Sequence, residues 1–256
     1  MERVKQEEWG RVRRLFQNQM CFVPTFVHSV LDGQIVGEIY SNSHLVENVF
    51  VKTNNGLCFV CGEENHDDFN ERLIRQFREH KNEHRRFTLF TASEKWEEMI
   101  HTRLDDEVKQ YSRFSFEYIE EGKSSLPPEE KNEVQRIYSS HIHQALEFGG
   151  DYYKEYWGSV TRFLEKGFGF CIVSGGKVVS EGTSIFCSDH FAEIDIATSE
   201  NFRGKGFATD VAKAFINHSV ENGLVPRWDC DGSNASSIRL AEKLGFGNPT
   251  TYSVFI

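Results

Sequence analysis

No stretch of this 256-residue chain is long and apolar enough to suggest a membrane span, and residues 1–14 lack the apolar core of a secretion signal. The expectation is a cytoplasmic protein with no membrane partner. Positive charge is in short supply: 29 Lys and Arg stand against 39 Asp and Glu, a formal net charge of −10. An acidic surface repels phosphate backbones, so nucleic acid is disfavoured as a partner, and the basic runs 11–14 and 84–86 are too short to change that. Acidity suits a cationic acceptor, and equally suits plain solubility. Six cysteines without a secretion signal read as reduced thiols, which also removes the meaning of the sequons at Asn217 and Asn234. No internal repeat is visible. What is present is an ordinary globular composition, 39% hydrophobic and 27% charged, with 22 phenylalanines to fill the cores. The length suits two small domains.

Periodicity organises the chain. A helix is expected over residues 2–18, a β-prone stretch over 21–30, a turn at Asp32-Gly33 and a strand over 34–40. Strands at 49–52 and 57–61 flank Asn54-Asn55-Gly56, whose tolerance of positive φ makes a hairpin. Phe69, Leu73 and Phe77 recur at helical spacing to about residue 84, followed by a strand at 87–91 and a short helix at 94–103. Phe114, Phe116 and Tyr118 share one face of a strand over 113–119. The stretch 120–128, charged, then Ser-rich, then Pro-Pro, is the strongest breaker. The strand before it is assigned to the second half, which divides the chain into residues 1–110 and 111–256. In the second half, helices are expected at 128–146 and 152–166, and strands at 168–173 and 177–186 joined by Gly175-Gly176. A strand at 191–198, a glycine turn, a helix at 207–222, a strand at 224–230, a short helix at 234–244 and a strand at 252–256 complete the order.

The chemistry gathers at Ile194-Asp195-Ile196-Ala197-Thr198 and the following Asn201-Phe202-Arg203-Gly204-Lys205-Gly206-Phe207-Ala208-Thr209. A strand runs into a turn with two glycines, and an amphipathic helix leaves it. Glycines let backbone N–H groups converge unobstructed, and a helix N-terminus adds partial positive charge. Arg203 and Lys205 supply full charges, so the turn can cradle a pyrophosphate. A dinucleotide fingerprint fits poorly at Thr209, and the Gly-Lys-Ser/Thr of a P-loop is absent. The later segment Trp228-Asp229-Cys230-Asp231-Gly232-Ser233-Asn234-Ala235-Ser236-Ser237 leads into Lys243-Leu244-Gly245-Phe246.

Together these segments resemble the two acyl-CoA motifs of the GNAT (Gcn5-related) N-acetyltransferases. The first motif, Gln/Arg-x-x-Gly-x-Gly/Ala, reads here from Asn201 to Gly206, and the second is an Asn opening a helix that ends in Lys-x-Gly-Phe. Lys166-Gly167-Phe168-Gly169-Phe170 and Pro226-Arg227-Trp228-Asp229 extend the likeness to a mostly bacterial subgroup that includes zwittermicin-type self-resistance acetyltransferases. The resemblance implies an α/β (α+β) fold. Its C-terminal GNAT domain would be a mixed, mostly antiparallel twisted sheet flanked by helices, preceded by a smaller, diverged α/β N-terminal domain. It implies acetyl-CoA as co-substrate, no metal, and direct transfer to an amine, of a small molecule. A second copy of the chain stays open as a partner, as does the alternative of a non-catalytic acyl-CoA-binding sensor or scaffold.

Residue by residue, the resemblance places the pantetheine arm against Ile196, Ala197 and Thr198. The pyrophosphate falls at Arg203, Gly204, Lys205, Gly206, Phe207, Ala208 and Thr209, with Asn234 and Ser237 on the second motif. Asn234 is also a natural helix N-cap. An ammonium with a pKa of about 10.4 needs a base at neutral pH. Glu193 is the first candidate, and Asp195 shares its strand face; a solvated strand edge accounts for both as well. At the position where many relatives carry a Tyr as acid this chain has Ala241, leaving Tyr252 or water to substitute. His80-Lys81-Asn82-Glu83-His84 matches a zinc-protease pattern but continues a helix's apolar stripe, and Cys58-x-x-Cys61 with His66 lacks a fourth ligand, so both are expected to be structural. The aromatic cluster Phe148, Tyr152, Tyr153, Tyr156 and Trp157 suits either an acceptor pocket or a core.

Overall fold

The computed structural model describes residues 1–19, 22–43, 46–119 and 132–256. The chain divides into two compact units, one made of Met1–Phe114 and Thr250–Ile256, the other of Ser115–Pro249.

In the first unit the sheet order is β1 (Glu2–Arg3), β2 (Gly37–Ser41), β3 (Asn48–Thr53), β4 (Leu57–Gly62), β5 (Thr88–Thr91) and the end of β12 (Phe246–Phe255). β3 and β4 form the expected hairpin, in register from Lys52↔Cys58 to Asn48↔Gly62. Its turn requires Gly56: φ is +82°, and a Cβ there would lie 2.1 Å from the Arg86 carbonyl oxygen. β12 pairs antiparallel with β5 over Ser253↔Thr91 to Phe255↔Leu89. Helices α3 (Asp67–Asn82) and α4 (Glu94–Leu104) cover one face, where Phe50, Cys58, Val60, Phe69, Leu73, Phe77, Trp96 and Phe255 form a core.

The start of the chain differs from expectation. Residues 2–18 contain β1 and a short 3₁₀ turn before α1 (Trp9–Gln19). The β-prone stretch is helix α2 (Thr25–Leu31), with Cys21 outside the described residues. Pro24 at its N-cap has φ −58°, and Thr25, Phe26, Val27, Ser29, Val30 and Leu31 are all buried. A helix wrapped in protein is apolar all round, so it reads as a strand when burial is inferred from alternation.

In the second unit the strands run in the order β6 (Gln110–Tyr118, whose last residues belong here), β11 (Val225–Asp231), β10 (Phe191–Thr198), β9 (Lys177–Cys187), β8 (Gly169–Ser174) and β7 (Gln135–Arg136). β7 to β10 pair antiparallel in turn, and β10 pairs with β11 in parallel, a mixed and mostly antiparallel sheet as expected. Gly175 and Gly176, at φ +58° and +74°, make the two-residue β8–β9 turn. Helix α8 (Phe207–Glu221) covers one face against Ile172 and Val179, and α6 (Gly150–Trp157) packs on β9.

Two expected helices are divided. The span 152–166 breaks at Gly158 (φ +80°), and Ser159 restarts the chain as N-cap of α7 (Val160–Lys166), accepting from Arg162 N at 3.0 Å. In the span 128–146 the described residues hold β7, paired with β8, then only the short α5 (Ser139–Gln144). Its first residues, and the whole of the breaker 120–128, lie outside the described residues.

Candidate functional site

The sheet of the second unit opens where β10 and β11 part. β10 and β11 pair from Phe191↔Val225 to Ile194↔Trp228, and there the register ends. β10 continues to Thr198, held from its other side by β9 through Thr198↔Ser180, and β11 continues to Asp231. Past Ile194 one edge of β10 is thus available for an extended ligand to run alongside, main chain to main chain. Ile196, Ala197 and Thr198 line that edge.

β10 then delivers the chain through a short 3₁₀ turn into the glycine loop. Gly204 and Gly206 both have positive φ, +75° and +86°, and Gly206 caps α8. The loop conformation therefore depends on residues without a Cβ. Helix geometry leaves the first N–H groups of α8, around Phe207, Ala208 and Thr209, without carbonyl partners inside the helix. Arg203 folds back so that its Nε donates to Thr198 O (3.1 Å), and Lys205 Nζ sits 4.8 Å from the Phe202 ring centroid. Thr209 Oγ1 accepts from Lys243 Nζ at 3.4 Å. Strand edge, glycine loop and helix N-terminus follow one another without a gap.

On α9 (Ala235–Lys243), Asn234 is the N-cap: its Oδ1 accepts from Ser237 N at 3.1 Å. Ser237 Oγ in turn accepts from Trp228 Nε1 (2.9 Å), tying the helix to β11. Ala241 is fully buried, so the site offers no phenol there. Tyr252 is a core residue of the first unit, stacked on Phe90 and Phe22, with its oxygen accepting from Arg113 Nε at 3.0 Å.

The face of β10 that carries Glu193, Asp195 and Ala197 continues onto β9, because Asp195 pairs with Thr183 and Ala197 with Glu181. Asp195 Oδ2 accepts a 2.9 Å hydrogen bond from the hydroxyl of Tyr152 on α6. Burial, with Asp195 beside it, raises the Tyr152 phenol well above its ordinary range, so it remains a proton donor to Asp195. Glu193 is paired across the strands with Arg227, a buried residue whose guanidinium lies 3.6 Å from the Phe191 ring centroid and 3.9 Å from Glu117. Burial lowers the pKa of Arg227, and the charges of Glu193, Glu117 and Asp229 oppose that.

Glu181 went unnoticed in the sequence. It is 2% exposed, and one of its oxygens accepts from Phe148 N at 2.9 Å. Burial foremost, with Glu147 and Asp195 adding like charge, pushes its pKa up to about 7 against two opposing backbone hydrogen bonds. The available signal was a lone acid inside the run Val178-Val179-Ser180-Glu181-Gly182-Thr183, where neither neighbour marks a solvent face. Nearby, Tyr153 Oη and Thr183 Oγ1 are buried and neither closes a hydrogen bond of proper geometry.

The aromatic cluster divides between the two expected roles. Tyr153 and Trp157 are core, whereas Phe148, Tyr152 and Tyr156 are half-buried. Phe148 stacks on Tyr152 at 4.3 Å, and Tyr156 lies 5.0 Å from Tyr152 and 5.9 Å from Phe186. The two metal-like patterns are dispersed in the first unit. His80 is buried with its Nε2 2.9 Å from Lys52 Nζ, while His84 is exposed beyond the helix end. Cys58 enters the α3–α4 core, and Cys61, three residues on, faces the other side of β4.

Similarity to known proteins makes this chain an acyltransferase. The chain belongs to the GNAT acetyltransferase family, whose model matches residues 13–255. It is 37% identical over 257 residues to the uncharacterized N-acetyltransferase YdfB of Bacillus subtilis (strain 168), covering 100% of this chain and 98% of that protein. In fold it is similar to a GCN5-related N-acetyltransferase-like protein from Streptococcus suis, with a TM-score of 0.73 and 24% identity over 97% of this chain and 98% of that one. It is also similar in fold to a tandem GNAT protein from the clavulanic acid biosynthesis pathway, with a TM-score of 0.62 and 10% identity over 99% and 96% of the two chains. No helix among the described residues is long and apolar enough to cross a membrane.

Proposed function

We propose that this acyltransferase takes the acetyl group from acetyl-CoA and passes it directly to the amine of a small cationic molecule. The observation that carries this reading is the end of the β10–β11 register at Ile194↔Trp228, continuous with the glycine loop and the start of α8. Pantetheine amides would pair with the backbone of Ile196, Ala197 and Thr198. The pyrophosphate would meet the N–H groups from Gly204 to Thr209, with Arg203 and Lys205 adding charge. Asn234 and Ser237 would flank the cofactor from α9.

On the opposite side of the thioester, Asp195 and Tyr152 would meet the acceptor. A carboxylate framed by Phe148, Tyr152 and Tyr156 suits an ammonium, attracted both by the charge and by the ring faces. Glu193 would contribute negative charge, much of it directed at Arg227. An N–H of the β10 edge would stabilise the tetrahedral oxyanion.

The test is calorimetric titration with acetyl-CoA together with thiol release across a panel of alkylamines. Binding that persists undiminished in a folded G204V variant, in which a β-branched residue must adopt positive φ, overturns the cofactor placement. The second reading, a protein that binds acyl-CoA without turning it over, is favoured by the buried Ala241, which leaves no acid at that point of α9. Tight binding with no thiol release for any amine would establish it.

A further inference from the structure

We propose that Glu181 is the proton acceptor for the acceptor amine, with Asp195 holding the ammonium in front of it. The assignment rests on the acetyl-transfer reading above, and places its base on β9 instead of β10.

Three observations converge on Glu181. Its position is the first: it pairs across the strands with Ala197, on the face that carries Asp195, next to the strand segment given to pantetheine. Asp195 is its diagonal neighbour on that face, within reach of side chains that extend toward one another through water. The second is its lack of a cation. Among the described residues no Lys or Arg forms an ion pair with Glu181, whereas Glu193 works against Arg227 and Asp195 is held by Tyr152. A carboxyl that is 2% exposed with no countercharge is costly to ionise, and such groups concentrate where a proton must move. The third is Tyr153 Oη and Thr183 Oγ1, buried on this face with hydrogen-bonding capacity left over. They offer polar lining for a bridging water.

The charged groups facing Glu181 favour its holding a proton. Glu147 from the preceding loop and Asp195 from β10 are like charges. Cys171 on β8, pushed up to about 12 by burial, and Tyr153 on α6, raised by burial, stay neutral. Only the Phe148 and Glu147 amides favour the ionised form. The result is a base poised near neutrality, where general-base catalysis is most effective.

In the reaction, one ammonium N–H bond breaks and its proton passes through the water to Glu181. The nitrogen lone pair forms the C–N bond to the thioester carbonyl carbon. The tetrahedral intermediate collapses, the C–S bond breaks, and the thiolate takes the second amine proton. Glu181 returns its proton to solvent.

The test compares wild type, E181Q and E181D with acetyl-CoA and two probes: n-butylamine, protonated at neutral pH, and trifluoroethylamine, largely neutral there. E181Q should bind acetyl-CoA with unchanged affinity, which also verifies folding, and lose about 10²-fold or more in kcat on n-butylamine. It should lose far less on trifluoroethylamine, its acidic kcat limb should disappear, and E181D should recover part of the rate. Equal kcat for E181Q and wild type on n-butylamine, or an equal loss on both amines, overturns the assignment. Wild type that binds acetyl-CoA but releases no thiol with any amine overturns the acetyl-transfer reading itself, and this assignment with it.

Discussion

Replacing Glu181 by glutamine should stabilise the second unit above neutral pH and leave it little changed in mild acid. The folded carboxyl has a pKa of about 7 against an ordinary 4.5, so the folded state holds a proton that the unfolded chain has already released. A raised pKa contributes stability that is fully present below the unfolded value and is lost as pH rises through the folded one. At about 1.36 kcal/mol per pH unit, the interval between 4.5 and about 7 is worth roughly 3 kcal/mol. Glutamine keeps the acceptor for Phe148 N and carries no charge, so the variant escapes that loss. Native-state hydrogen exchange of the β9 amides reports this unit by itself. Measured from about pH 4 to about pH 8, wild type should lose roughly 3 kcal/mol relative to E181Q. Parallel curves for the two proteins would refute the claim that burial without a countercharge governs this carboxyl.

The other predictions concern the rest of the site and the metal-like histidine pattern. Y152F removes a hydrogen bond to a carboxylate worth about 1.5–3 kcal/mol, so kcat/KM for an alkylamine should fall roughly tenfold or more with acetyl-CoA affinity unchanged; unaltered amine kinetics would remove Tyr152 from the acceptor side. E193Q takes away a charge that compensates buried Arg227 and should lower stability by about 1–3 kcal/mol while costing less kcat than E181Q; a folded E193Q that loses about 10²-fold in kcat would make Glu193 the base. G204V should weaken acetyl-CoA binding in calorimetry, because φ at Gly204 is +75°. Dialysis against a chelator should leave turnover unchanged, since His80 is committed to Lys52 and the Arg86 carbonyl; activity restored only by added zinc would contradict this.

Legibility followed the reach of the interactions. The Asn54-Asn55-Gly56 hairpin, the Gly175-Gly176 turn and the strand–glycine–helix order around Gly204 were readable because a positive φ or a phosphate-type loop is encoded within a few residues. Helix α2 was misread because its burial on all sides comes from partners distant in sequence. The division at Gly158 and the short β7 depended likewise on docking to β8 and β9. Glu193 and Asp195 could be placed on one face from strand period alone. The pairing of Glu193 with Arg227, of Asp195 with Tyr152, and of Glu181 with the same face required the register and the docking of α6. Charge on a single strand says little until its neighbours are known.

The membership of Thr250–Ile256 in the first unit sets an order of assembly. During synthesis, residues 115–249 emerge before the strand that pairs with β5, so the second unit can form while the first still has an open sheet edge. Until Ser253, Val254 and Phe255 arrive, β5 presents unpaired backbone of the kind that attracts other strands. Residues 1–114 expressed alone would keep that exposure permanently, and aggregation is the expected fate of such a fragment.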